Sequence, residues 1–337
     1  MPSISIIVPC YNEQATIRKL LGSIYAQDPP RSDLEVIIAD GLSSDGTRAE
    51  IAAFADSHPD LHICVVDNPK RSIPAGLNCA LKEARGEIIV RLDAHAMPDA
   101  DYLERCVADL EAGLGENVGG VWEIRPRTDT WLAQSIATAA AHPIGVGDAL
   151  YRHAKKAGTV DTVPFGAFKR ELLATVGFFD ENLLTNEDYE FNARIRKSGG
   201  KIWLDPSIRS VYFSQAHLSG LARQYFRYGY WKWRMLRHFP DTLRWRQALP
   251  PAFILSLVGL GILGGFLPLF WVLLGAELIL YVLAIAAAGA QEALRKRQTF
   301  LILGLPLAIA VMHIFWGSGF LWSMITGVFS KHDPEKN

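Results

Sequence analysis

The last third of the chain constrains what the rest can be. Leu249 to Gly289 is apolar apart from Glu277, a run of about forty residues where about twenty cross a bilayer. Gly264-Gly265-Phe266-Leu267-Pro268 is the natural reversal inside it. Gln291 to Gln298 is polar and carries Arg295, Lys296 and Arg297; Phe300 to Phe329 is apolar again, interrupted by Pro306 and Gly317-Ser318-Gly319. The pattern predicts three membrane spans rather than the buried helical core of a soluble protein. Both basic segments, before the first span and between the second and third, face the cytoplasm by the positive-inside rule. That places the N-terminal domain in the cytoplasm and the tail, 330–337, outside. Ahead of the spans, Gln215 to Gln247 interleaves Arg223, Arg227, Lys232, Arg234, Arg237, Arg244 and Arg246 with tyrosines and tryptophans. Such a mixture suits the headgroup region of a membrane. Nucleic-acid binders use similar residues, but a net charge of −1 leaves no basic footprint. The expected organisation is a catalytic domain over 1–214, interface helices over 215–248, spans over 249–329 and the tail.

Up to about residue 220 the composition is that of a soluble α/β protein. Its cysteines (Cys10, Cys64, Cys79, Cys106) form no CxxC pair, which fits a reducing compartment and no structural zinc. Ser3 to Val8, Leu34 to Ala39, Leu61 to Val66 and Glu87 to Leu92 read as strands. Helical patterns separate them: Ile17, Leu20, Leu21 and Ile24 share one face, and Ile73 to Arg85 stops at Gly86. Asp45 or Thr47 is placed to cap the helix after the second strand, and Asp99 the helix through Leu110. Strand and helix alternate over short connections, which predicts a mostly parallel sheet with helices on both faces.

In such sheets ligands bind beyond the carboxyl ends of the strands. Tyr11, Asn12 and Glu13 follow the first strand, Asp40 ends the second, and Asp93 and His95 follow the fourth. A carboxylate and an imidazole this close suit a divalent cation with open positions, and such a cation suits a diphosphate. Excess carboxylate at one rim also asks for a cation. The competing account makes Asp93 a turn cap and His95 a loop histidine. Further on, Gly166 in Val163-Pro164-Phe165-Gly166 would let a substrate approach the backbone. Leu184 to Glu190 opens a helix, where Thr185 and Asp188 fit a capping box; the functional alternative makes Asp188 a general base. No Walker lysine loop or GxGxxG is present.

Taken together, Val8-Pro9-Cys10-Tyr11-Asn12-Glu13, Ala39-Asp40-Gly41, Ser44-Asp45-Gly46-Thr47, Leu92-Asp93-Ala94-His95 and Asn186-Glu187-Asp188 resemble the inverting nucleotide-sugar glycosyltransferases of family 2. The resemblance covers roughly residues 1 to 235. It extends to membrane-bound bacterial exopolysaccharide enzymes of the succinoglycan glucosyltransferase type. It implies a GT-A (Rossmann-like) fold, an inner-membrane location, a nucleoside diphosphate sugar donor (UDP-glucose), a lipid-linked sugar acceptor, and contact with membrane lipids but not nucleic acid. It also implies roles: Pro9, Tyr11, Glu13 and Asp40 at the base and ribose; Asp93 and His95 holding Mg²⁺ or Mn²⁺ on the diphosphate; Asp188 as base with Glu187 beside it. Gln224-Tyr225-Phe226-Arg227-Tyr228 resembles QxxRW with Tyr228 in place of tryptophan, which implies Arg227 on the leaving diphosphate. His95 stands where the family has a second aspartate.

Three alternatives share these features. A polyprenyl-phosphate glycosyltransferase has an anionic acceptor that needs no base, so Asp188 disfavours it. A processive synthase is disfavoured by the altered QxxRW. A non-catalytic membrane scaffold is disfavoured by Asp40, Asp93 and Asp188.

Overall fold

The computed structural model describes residues 3–28 and 31–329; the tail, 330–337, lies outside them. The chain forms two compact units, one of Met1–Glu123 with Leu150–Tyr212, the other of Ile124–Ala149 with Phe213–Asn337. In chain order the elements are β1 (Ile4–Cys10), α1 (Ile17–Tyr25), β2 (Leu34–Asp40), α2 (Thr47–Ser57), β3 (His62–Asp67), α3 (Ile73–Glu83) and β4 (Ile88–Arg91). Then come β5 (Met97–Pro98), α4 (Tyr102–Glu111), β6 (Asn117–Arg125), α5 (Trp131–Ala141) and α6 (Pro143–Val146). β7 (Gly158–Val160), β8 (Ala167–Lys169), α7 (Leu172–Val176), α8 (Glu187–Lys197) and β9 (Ile202–Phe213) complete the sheet unit. The last four are α9 (Leu218–Leu236), α10 (Trp245–Gly264), α11 (Leu269–Lys296) and α12 (Leu301–Phe329).

The first unit is built on one mixed sheet in the order β3-β2-β1-β4-β8-β6-β9-β5, with β7 on β9. Its first half, β3 through β4, is parallel, as the strand–helix alternation predicts. From β8 onward the described pairings are antiparallel. Both faces are buried. Alternate residues of a strand point to opposite faces, so Ile4, Ile6 and Val8 join a core with α1, α2 and α4. Ile7, Ile37 and Ile89 join the core that receives Leu77 and Leu81 of α3 and Phe191 and Ile195 of α8. α4 starts later than Asp99 suggests: Asp101 is its N-cap, while the Asp99 carbonyl accepts from the Tyr102 N–H.

The parallel half of the sheet has one reversal. β1, β2 and β3 step one way; β4 returns to the other side of β1. The crevice beyond the carboxyl ends of β1 and β4 is therefore the switch point where open α/β sheets bind ligands.

The second unit is helical. Leu301, Leu305, Ala308, Ile309 and Met312 form a stripe on α12 packed with Ile136 and Ala139 of α5, Leu221 and Tyr225 of α9, and Ile285 and Ala288 of α11. Glycines let backbones meet: a Cβ on Gly229 would overlap the Trp316 carbonyl, and one on Gly319 the Phe226 carbonyl. Among the described residues, three helices are long and apolar enough to cross a membrane: Trp245–Gly264, Leu269–Lys296 and Leu301–Gly327. The reversal falls between Gly264 and Leu269, as expected. The third helix runs unbroken through Pro306 and Gly317-Ser318-Gly319. Glu277 sits in a helix interface, where its carboxylate accepts the Ser256 hydroxyl at 2.5 Å.

Candidate active site

Each side of the switch point contributes a loop. After β1 the chain turns through Asn12, whose φ of 53° is a left-handed conformation that asparagine tolerates. Glu13 then meets the loop after β4, where its Oε1 lies 3.0 Å from His95 Nδ1. Burial opposes ionisation of Glu13, but hydrogen bonds from His95 and Thr16 outweigh it and lower its pKa. The β2 loop laces to the same segment. Ser43 Oγ donates to Asp40 at 2.5 Å and accepts the Asn12 N–H at 2.8 Å; the Thr47 hydroxyl accepts the Glu13 N–H at 2.8 Å. Asp45 folds back on the Thr47 N–H at 3.0 Å, as a side-chain turn before α2.

Pro9 is buried in β1 beyond the last residue paired with β4, Ile7, so only β2 flanks it. Tyr11 is 45 % exposed at the mouth, with the Arg71 guanidinium 5.8 Å from its ring centroid. Asp40 has no exposed surface. Burial opposes its charge, yet Ser43 and Arg48 hold its pKa below the usual range. Its influence on the crevice therefore passes through the loop it anchors. Arg227 is an exposed residue of α9, in the second unit.

The other side of the crevice is organised by a residue the sequence reading did not single out. Arg91, the last residue of β4, is 4 % exposed and ion-pairs three carboxylates. Its Nη2 lies 3.1 Å from Asp93 Oδ1 and 2.8 Å from Glu187 Oε1, and its Nη1 pairs with Asp188. The signal was available: a lone arginine in the apolar run Ile88 to Leu92 must find partners. Arg91 also supplies a cation that the rim argument had assigned wholly to a metal. Burial alone would lower its pKa, but Asp93 and Glu187 raise it.

The capping-box account of Asp188 fails. The N-cap of α8 is Asn186, at φ 72°, not Thr185; Thr185 Oγ1 turns to the Leu184 carbonyl. Asn186 thus repeats the Asn12 device, a left-handed asparagine that aims the acids after it. The turn-cap account of Asp93 fares no better, since its carboxylate pairs with Arg91 while its carbonyl takes the Ala96 N–H. Gly166 also has a packing reason: a Cβ there would overlap the Asn117 side chain. Its carbonyl accepts the Arg91 N–H at 3.1 Å.

The crevice carries a negative field. Burial first, then Asp40 and Glu13, push the Cys10 thiol up to about 12. The donors also fit a divalent cation. Among the described residues no three acids, histidines or cysteines form a closed cage. Asp93 and His95 are a two-residue set of the kind that Mg²⁺ or Mn²⁺ completes with phosphate oxygens and water. The Glu13 carboxylate on His95 Nδ1 is the arrangement that orients a metal-ligating imidazole.

The chain is similar to several known proteins. The succinoglycan biosynthesis protein ExoA of Rhizobium meliloti (strain 1021) is 29% identical over 317 residues, covering 94% of this chain and 93% of its own. A dolichyl N-acetyl-alpha-D-glucosaminyl phosphate 3-beta-D-2,3-diacetamido-2,3-dideoxy-beta-D-glucuronosyltransferase of Methanococcus voltae is 26% identical over 333 residues, 97% of this chain and 98% of its own. Among solved structures, the mannosyltransferase PcManGT from Pyrobaculum calidifontis, in complex with GDP-Man and Mn²⁺, aligns over 93% of this chain and 87% of its own, with a TM-score of 0.61 and 26% identity. The model of glycosyl transferase family 2 matches residues 5–177. That match takes in the parallel half of the sheet from Ser5 onward and the loops after β1 and β4, and the chain belongs to glycosyl transferase family 2.

Proposed function

We propose that the chain is an inverting, metal-dependent glycosyltransferase. It moves glucose from UDP-glucose to a hydroxyl of a lipid-linked oligosaccharide at the cytoplasmic face of a bacterial inner membrane, for exopolysaccharide or another surface glycan. One observation carries the reading: the Arg91 guanidinium gathers Asp93 from the end of β4 and Glu187 and Asp188 from the start of α8. A diphosphate-side acid and a candidate base are thus neighbours.

Tyr11 and the β1 loop, braced through Asp40 and Ser43, bind the nucleoside. Asp93 and His95 would hold Mg²⁺ or Mn²⁺. When bound, the cation offsets negative charge on the departing diphosphate. A sugar hydroxyl is a weak nucleophile, so Asp188 accepts its proton as it attacks the anomeric carbon. Glu187 and Arg91 keep that carboxylate oriented. Direct displacement inverts the anomeric centre, so an α-linked donor yields a β-linked product.

The acceptor class is supported by the base itself, since an acceptor phosphate would need none. It is supported too by the Methanococcus relative, named for transfer to a dolichyl-linked sugar, and the glycan by the succinoglycan relative. Arg244 and Arg246 at the start of α10, and Arg295, Lys296 and Arg297 at the end of α11, favour a cytoplasmic catalytic unit.

The test is release of nucleoside diphosphate from a panel of nucleotide sugars by detergent-purified protein, with and without Mn²⁺. Metal-dependent release from UDP-glucose is expected, and loss of transfer in Asp188→Asn. Turnover that survives Asp188→Asn would remove the base assignment and favour a phosphate acceptor.

A further inference from the structure

Arg91 is unusual for a residue that only stabilises a fold. Breaking one exposed ion pair costs little, but an arginine buried in a sheet carries a desolvation penalty of several kcal/mol that its partners must offset. One carboxylate would balance its charge. Arg91 has three, and two come from a helix about a hundred residues away in sequence. With every group ionised the cluster has one positive and three negative charges, a net of −2, from Arg91, Asp93, Glu187 and Asp188. The strand cannot shift to relieve it. Leu92 donates to the Ile7 carbonyl and Arg91 to the Gly166 carbonyl, both at 3.1 Å, so the Arg91 backbone is held from both neighbouring strands.

Asp93 is the shared member. The same carboxylate that accepts from Arg91 is the one that, on the reaction proposed above, takes a divalent cation. Two cations on one carboxylate compete, and in a partly buried site the competition is strong. Asp188, on the other terminal nitrogen of the same guanidinium, has its direction set by the same residue. We infer that Arg91 is a positioning residue that couples the two halves of the site: it holds the Asp188 carboxylate in its working orientation and, by sharing Asp93, keeps divalent-cation affinity below what Asp93 and His95 alone would have. The inference rests on the proposed reaction and extends it to a residue that acts through its neighbours.

The two effects have opposite signs, which separates this role from a structural one. A merely structural arginine, when replaced, weakens metal binding and turnover together. The experiment uses full-length protein in detergent, with Mn²⁺ affinity read by electron paramagnetic resonance in the presence of UDP, and turnover by nucleoside diphosphate release. In Arg91→Gln, Mn²⁺ binds several-fold more tightly, while kcat falls by about 100-fold, the scale of a misplaced catalytic group, and the donor KM changes little. Arg91→Lys keeps the charge but not the fork that reaches three carboxylates. It restores the melting temperature without restoring kcat, and its Mn²⁺ affinity shifts in the same direction as in Arg91→Gln. Should Arg91→Gln fail to fold, the lysine variant carries the test by itself. Mn²⁺ affinity that is unchanged or weaker in the folded variants, or kcat restored by lysine, overturns the inference. Failure of the underlying reaction would instead appear in the unaltered protein, as absence of donor turnover.

Discussion

Two arginines gather carboxylates in the first unit, and they do so under opposite conditions. Arg48 takes Asp40 and Asp67, each at 2.5 Å, and its side chain is 44 % exposed. Arg91 takes Asp93, Glu187 and Asp188 and is 4 % exposed. The chemistry is the same and the solvent is not. Water can replace Arg48 at its partners, so that cluster ties α2 to the ends of β2 and β3 at modest cost. Nothing replaces Arg91. Its cluster holds the acids on the reaction side in fixed directions, as a base needs, and becomes unstable when one member is lost.

The largest expected effect lies on the reaction side. Asp188→Asn keeps the size of the side chain and removes its basicity, so transfer falls by about 10²–10⁴-fold, the usual contribution of a positioned base. The binding of UDP changes little, and calorimetry checks this. Next comes stability. Arg91→Ala leaves three acids facing one another without a cation and costs about 3–5 kcal/mol of unfolding free energy, read by denaturant titration in metal-free buffer. Mn²⁺ returns part of that stability, because a ligand that binds only the folded state stabilises it.

A smaller effect belongs to the hydrogen bond that joins the two loops. Glu13→Gln removes the acceptor charge on His95 Nδ1 and weakens Mn²⁺ binding about 10–100-fold, as loss of a carboxylate behind a metal-bound histidine does. The fold survives, since Glu13 is partly exposed.

These contrasts also mark what the chain discloses before it folds. The parallel half of the sheet is legible because each strand, from β1 to β4, is mostly apolar and helical patterns separate the strands. β5, β7 and β8 are two or three residues long, too short for any period, and their pairing is decided by the sheet they join. α5 is similar: Trp131 to Ala141 is an ordinary apolar helix by pattern, and only its packing assigns it to the helical unit. At the site, strand ends pointed to Glu13, Asp40, Asp93 and His95 without any coordinates. Arg91 is hard to read in the sequence because a metal balances the rim's acids on paper as well as a buried arginine does. That Asp40 is buried, and Asp93 not, depends on loop packing that no local pattern encodes.

On the Arg48 side the acid limb of stability is the next test. Asp40 has a folded-state pKa below its ordinary 3.8. Its stabilising contribution is therefore complete above that value and lost as pH falls below it, through the folded-state pKa. Asp40→Asn is less stable than the unaltered protein near neutrality, and the gap narrows below pH 3.8. A gap independent of pH would mean that Asp40 acts by shape, not charge.

The smallest effect separates exposure from pairing as the cause of the contrast. Arg48→Ala removes two ion pairs at once, yet the half-exposed site admits water to Asp40, so the loss is about 1 kcal/mol or less. Arg48→Met removes the same pairs and keeps the space filled. Methionine covers the Asp40 carboxylate without donating to it, leaving a buried charge with only Ser43 for support. The methionine variant is therefore the less stable of the two, although its side chain is closer in volume to arginine. Equal stabilities, measured by denaturant titration near neutral pH, would mean that water never reaches Asp40, and that the Arg48 and Arg91 clusters differ only in number of partners. A less stable methionine variant makes solvent access the property that lets one arginine tie a loop and obliges the other to fix a site.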